Sequence, residues 1–312
     1  MMTEAEIITE AKERFRKCQD WEAEFRRRER EDIKFANGDP DNLWQWEQQL
    51  YGARTGDGKP CLTINKVRQH NLQIINDAKQ NKPGVNIRPV SDEATFESAQ
   101  AFEGVVRHIE YQSNAEQAYD TATTFQVEGG IGYWYVDTDY VSDDSFDQEI
   151  YVRRIKNPDL CYLDPDINEA DGSDARYGFI FEDIPRKEFD RRYPNYKDDA
   201  GSSVIGNEGD GWQTQDYVRV AVYYRKQQAR DKLIAFVDPN TQVQVIVRRK
   251  EMLEPVRELY NLAKELAKLG GPPVIERELL TDDVEWFKIA GNKIIDKGPW
   301  QGKYGPVAKF RS

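Results

Sequence analysis

The chain has 312 residues, 38% of them hydrophobic, 12% aromatic and 32% charged, with a formal net charge of −12, which predicts one large or two ordinary folded domains and excludes a disordered chain. The acidity excludes tight non-specific binding to a phosphate backbone, and three widely separated cysteines, Cys18, Cys61 and Cys161, exclude a disulfide framework or a C-x-x-C zinc site. No apolar stretch reaches membrane-span length and the start MMTEAEIITEAKERF carries no apolar signal core, so synthesis in a reducing cytosol is expected.

In chain order, Ile8, Ala11, Phe15, Cys18 and Phe25 recur at helical steps among many Glu and Arg, predicting a charged amphipathic helix from Thr3 to about Phe35 that ends at Asn37-Gly38-Asp39-Pro40. An aromatic segment, Leu43 to Trp46, leads into a turn-rich run from Gly52 to Pro60. A second helix is expected from about Asn65 to Gln80, and the alternation of Val85 to Val90 predicts a strand. Phe96, Ala99, Val105, Val106 and Ile109 mark a third helix. Ser113-Asn114-Ala115-Glu116 has the spacing of a capping box, which predicts the start of a fourth helix carrying Ala118, Tyr119, Ala122 and Phe125 on one face.

After Gly129-Gly130 the pattern turns to strands. A first hairpin is predicted from 132–136 and 150–155, which are β-branched and aromatic and flank an acidic turn. Residues 197–211, KDDAGSSVIGNEGDG, read as a mobile loop. Strands follow near 217–225, 232–237 and 242–249, then a helix at 255–269 stopped by Gly270-Gly271-Pro272-Pro273. A last hairpin, Val284 to Ala290 and Lys293 to Asp296, turns on Gly291-Asn292. The predicted fold is α+β, with a mainly helical part at 1–128 and an antiparallel, strand-rich part at 129–312.

Several motifs suggest chemistry and fail on inspection. Ala53 to Lys59 has relaxed phosphate-loop spacing, but Pro60 follows Lys59 where a magnesium-ligating Ser or Thr belongs, and no strand is predicted before it. Gly129, Gly130 and Gly132 lie between helix and strand, the wrong order for a dinucleotide turn, and read as a tight junction. Asp164, Asp166, Asn168, Asp171 and Asp174 resemble a calcium loop, yet Glu169 replaces the turn glycine and Ala175 the closing glutamate, so a solvated acidic turn is expected. The two histidines, His70 and His108, fit no catalytic or metal pattern and read as core or interface residues. No catalytic, cofactor-binding or metal residue is assigned, and no enzyme activity is expected.

Four segments in order carry a family resemblance: 59–66 (KPCLTINK), 76–90 (NDAKQNKPGVNIRPV), 107–120 (RHIEYQSNAEQAYD) and 129–134 (GGIGYW), with weaker likeness through Asp164-Pro165-Asp166 and 298–304 (GPWQGKY). Together they resemble the head-to-tail portal proteins of short-tailed bacteriophages, the podovirus type. The resemblance implies a structural, non-enzymatic subunit of a dodecameric ring at one capsid vertex, part of the virion, with wing, stem, clip and crown regions. It implies as partners the terminase large subunit, capsid and scaffolding proteins, tail or head-completion proteins, and double-stranded DNA passing weakly bound through the channel. Local basic patches such as Arg26-Arg27-Arg28 are where phosphates are expected to touch, with no membrane involved. Family members run longer, so the resemblance implies a chain cut to its N-terminal half, without later stem and crown elements, that closes rings poorly. Two other classes compete: a metal-dependent nuclease built on the acidic turn, against which stands the lack of an acidic-x-lysine step nearby, and a scaffold protein without a channel.

Overall fold

The computed structural model describes residues 2–39, 46–62, 64–82, 84–90, 94–142, 144–196 and 217–311. The expected loop at 197–211 lies outside them, as do Leu43, Trp44 and Gln45. The fold is α+β, as the patterning predicts, with five helices among the described residues before 130 and sheets afterwards.

Helix α1 (Glu4–Asn37) opens on a capping box in which the Thr3 hydroxyl accepts from the Glu6 amide and the Glu6 carboxylate accepts from the Thr3 amide; it stops at Gly38 in the left-handed conformation. Ion pairs one turn apart, Arg14–Glu10, Arg28–Glu24 and Arg27–Glu31, line its surface. Its buried stripe is Ile7, Ile8, Ala11, Phe15 and Cys18. Helix α2 (Gln48–Gly56) occupies part of the run expected to be turns: two glycines each cost only about 1 kcal/mol in a helix, and Gln, Leu, Ala and Arg around them favour it. Helix α3 (Val67–Gln80) follows, but 84–90 is extended without a ladder partner among the described residues, a correction to the predicted strand; Pro89 lacks the amide a ladder needs. Helix α4 (Phe96–Ser113) is capped by Thr95. Helix α5 (Ala115–Gly129) begins at Asn114 in the left-handed conformation without a side-chain cap, so the predicted capping box is absent. The Ser113 hydroxyl instead accepts from the Val152 amide, tying α4 to the following sheet.

Strands β1 (Ile131–Tyr140) and β2 (Gln148–Arg154) form the expected hairpin, with Trp134 opposite Arg154. After β3 (Cys161–Leu163) come β4 (Tyr177–Pro185), α6 (Arg186–Arg192), β5 (Tyr217–Val237), β6 (Gln244–Arg248), α7 (Glu254–Lys268), β7 (Ile275–Ala290), β8 (Lys293–Trp300) and β9 (Val307–Arg311). The strands predicted at 217–225 and 232–237 are one strand of 21 residues; the polar Lys226 to Lys232 interrupts the apolar pattern but not the backbone. One sheet has the order β2-β1-β9, with β9 antiparallel to β1; the other runs β3-β4-β5-β7-β8, with β6 paired to β5.

Contacts divide the chain into two compact units. The first comprises residues 1–224, 286–297 and 304–312, the second 225–285 and 298–303. In the first, α1 lays its apolar stripe on Tyr177, Phe179 and Phe181 of β4, Ala221 and Tyr223 of β5, and Phe287 and Ile289 of β7. Phe15 meets Tyr162, Phe179 and Phe181 edge-on at centroid distances of 5.0–5.5 Å, and its burial contributes roughly 1.5–3 kcal/mol. In the second unit, Ile234 and Phe236 of β5 pack with Met252 and Ala263, Val256, Leu259 and Tyr260 of α7. Lys232 and the Tyr260 hydroxyl both bind Glu276 there, at 3.1 and 2.7 Å.

Between α5 and β1 the chain turns on Gly130, φ +90°. A Cβ on Gly132 would lie 1.9 Å from the Ala122 carbonyl oxygen, so α5 touches β1 with no room for a side chain. The three glycines thus serve the tight junction expected of them.

Candidate functional site

Lys59 and the carboxylates of the acidic turn, singled out for chemistry, are held by structural contacts. Lys59 follows α2 and pairs with Asp57 at 3.1 Å, in a turn preceded by a helix where a phosphate loop has a strand. In the acidic turn, Asp164 is buried and its carboxylate accepts from the Asp166 amide and from the Arg176 amide and guanidinium, while Asp174 accepts from the amides of Asn168 and Glu169. Asp166 pairs with Lys17 at 2.8 Å and Arg176 at 2.9 Å. These carboxylates cap a turn and neutralise cations, and none converges with two others on one point among the described residues. His70 on α3 and His108 on α4 are exposed, so neither is a core histidine. Burial pushes the Cys18 thiol up to about 12 and raises that of Cys161 as well, which keeps both protonated.

The basic patch Arg26-Arg27-Arg28 is also corrected. Arg27 and Arg28 pair with Glu24 and Glu31, and Arg26 points inward, 4% exposed. Its guanidinium binds Glu22, Asp159 and the carbonyls of Pro158 and Cys161, and lies 3.7 Å from the Tyr162 ring centroid. One turn on, Glu29 is equally buried, and one of its oxygens, Oε1, has no hydrogen-bond partner. Burial raises its carboxyl to about 7, against the pull of Arg26. A carboxyl whose folded pKa lies above the unfolded 4.5 costs stability in full above pH 7, and the cost fades as pH falls from about 7 towards 4.5. Glu29→Gln is therefore expected to stabilise the fold at pH 8, by up to about 3 kcal/mol, with the gap closing below pH 5. Urea melts at pH 5 and 8 check this; an equal shift at both pH values would contradict it.

What remains is a surface. Helices α2, α3 and α4 between them bury two side chains, Ile75 and Ala99. Leu62, Ile64, Leu72, Ile74, Phe96, Phe102, Val105 and Tyr111 are exposed instead, Ile64 by 74% and Tyr111 by 88%. An open cleft of about 1000 Å³ runs between the extended residues 86–89 and α4, with Arg88, Phe96 and Arg107 on its walls. Helices of 9 and 14 residues such as α2 and α3 are marginal alone in water and take their stability from packing an apolar face. Apolar surface of this extent marks an interaction site. Among the described residues no helix is long and apolar enough to cross a membrane.

An α+β subunit that leaves three successive helices so uncovered has the character of an assembly component. Residues 12–311 match the family model described as phage P22-like portal protein, and the chain belongs to that family. It is also similar to the portal protein of Acyrthosiphon pisum secondary endosymbiont phage 1, with 25% identity over 261 residues that cover 81% of this chain. The chain spans 35% of that relative's length. Family membership accords with the expected portal resemblance; the match does not extend to a podovirus origin or to a chain cut to its N-terminal half.

Proposed function

We propose that this chain is a structural, non-enzymatic portal subunit that joins copies of itself around a channel at the capsid vertex, through which double-stranded DNA is packaged and ejected. The single observation that carries the reading, beside family membership, is that α2, α3 and α4 bury only two of their side chains. Neighbouring subunits supply the missing cover. The net charge of −12 supports DNA passage, since an acidic wall offers phosphates few counterion-releasing contacts and lets the duplex slide. The terminase large subunit, capsid and scaffolding proteins, and tail or head-completion proteins are the partners this role requires, with a dodecameric ring as the assembled form.

Mass photometry over a concentration series, followed by negative-stain microscopy, tests the proposal. Concentration-dependent oligomers that appear as arcs or rings with a central hole are expected. A chain that stays monomeric at every concentration would overturn it.

A further inference from the structure

We propose that the tip of the β1–β2 hairpin of one copy docks on the basic, apolar segment at the start of α3, Leu62 to Arg68, of a second copy. The proposal rests on the ring reading above and names the two surfaces that meet.

The tip is acidic and partly apolar. Between Ile131 and Ile150 there is no Lys or Arg. Asp137 and Asp139 lean on Arg153 from the next strand, but among the described residues Asp144 and Asp147 bind only the hydroxyls of Ser142 and Ser145, at 2.7 and 3.3 Å, and the tip's own amides. Tyr140 and Val141 are exposed beside them, and Phe146 is 96% exposed. A phenyl held in water forgoes roughly 1.5–3 kcal/mol that burial would return.

The face has the opposite charge. Residues 60–76, around the start of α3, carry Lys66 and Arg68 and no Asp or Glu, in a chain that is acidic as a whole. Lys59, Lys79 and Lys82 are neutralised by Asp57, Asp120 and Glu116. Lys66 and Arg68 are exposed and have no acidic partner among the described residues. Leu62, Ile64 and Val67 stand exposed among them.

Tip and face thus complement each other twice, carboxylates to cations and aromatic to aliphatic side chains, and among the described residues neither is covered by its own chain. Complementary potential steers encounter and fixes register, while the apolar pairs supply the burial. Because tip and face are different patches, the contact is heterologous: each subunit offers a tip forward and a face behind, and repetition through a fixed rotation closes a ring. Nucleic acid is the less suitable occupant of the face, since phosphate contacts would leave Leu62, Ile64 and Val67 against a polar backbone.

The test uses two charge-reversed forms of the full chain, Asp144→Lys with Asp147→Lys at the tip, and Lys66→Glu with Arg68→Glu on the face. Oligomers are read by mass photometry, and folding by circular dichroism melts. Each form alone is expected to need a concentration about tenfold higher or more for half-assembly. A one-to-one mixture of the two is expected to restore assembly, because the tip of one form then matches the face of the other. Phe146→Ser weakens assembly without changing the melt. Neutral variants, Asp144→Asn with Asp147→Asn, replace any reversed form that fails to fold and lower assembly in the same direction.

Folded variants that assemble like the unsubstituted chain, or a mixture that fails to recover, overturn the docking while leaving the ring reading intact. The same follows if the face-reversed form loses retention of a DNA duplex with assembly unchanged, which would make the face a phosphate contact. An unsubstituted chain that never leaves the monomer overturns both.

Discussion

Arg26→Ala is expected to destabilise the first unit by roughly 3–5 kcal/mol, the range for removing one member of a buried charged cluster. The cost lies mostly in what is left behind. The guanidinium satisfies the Pro158 and Cys161 carbonyls together with the carboxylates of Glu22 and Asp159. Without it Glu22 keeps a charge in a poorly solvated place, and two carbonyls lose their donor. The Tyr162 ring loses the planar cation on its face as well. Arg26→Lys recovers one carboxylate contact but cannot span both carbonyls with a single ammonium, so it is expected to restore less than half of the loss. Thermal or urea melts of the three chains decide the matter; a loss near 1 kcal/mol for Arg26→Ala would mean that water replaces the guanidinium and the cluster is not buried in solution.

The second large effect is expected from Gly132→Ala, at roughly 3–5 kcal/mol. The added Cβ would meet the carbonyl oxygen, carbonyl carbon and Cα of Ala122 at 1.9, 2.6 and 2.8 Å. All three are backbone atoms, so no rotamer change relieves the clash and α5 must lift away from β1. Lifting it opens the cluster of Ala115, Ala118 and Val152, whose alanines allow the close approach. Gly104→Ala is the matched control. Gly104 lies within α4, with nothing within 4 Å of its would-be Cβ, and there the substitution is expected to add up to about 1 kcal/mol by favouring the helix. Equal melting temperatures for the two variants would refute the close packing of α5 on β1.

The legible part of this fold is the part whose side chains obey one rule at a time. Ile8, Ala11, Phe15 and Cys18 repeat at helical spacing and all four are buried; the hairpin at β7 and β8 turns on Gly291 as its sequence requires. Arg26 escaped the same reading because an arginine among arginines looks like solvated surface, and only the three-dimensional neighbourhood of residues 158–162 reveals its inward direction. Strand β4 left a readable trace, the run Tyr177-Gly178-Phe179-Ile180-Phe181 after a turn-rich segment, of the kind expected for a strand covered on both faces. Helix α4 shows the limit most plainly. Phe96 and Val105 belong to the periodic pattern that predicts the helix, yet both are exposed. Periodicity reports that a face avoids water; it does not distinguish cover by the same chain from cover by another molecule.

The pairing of β1 with β9 sets Ile131 opposite Arg311. On a ribosome adding about 5–20 residues each second, the partner of β1 on that side emerges on the order of ten seconds after β1 itself. During that interval the edge of β1 offers unmatched amides and carbonyls to any extended segment nearby. Nascent chains crowded on one message are where that edge is most exposed to wrong pairing. Slow, long-range closure of this kind holds back the smaller sheet until β9 has been made, and makes chaperone capture of the growing chain most valuable between the completion of β2 and the arrival of β9.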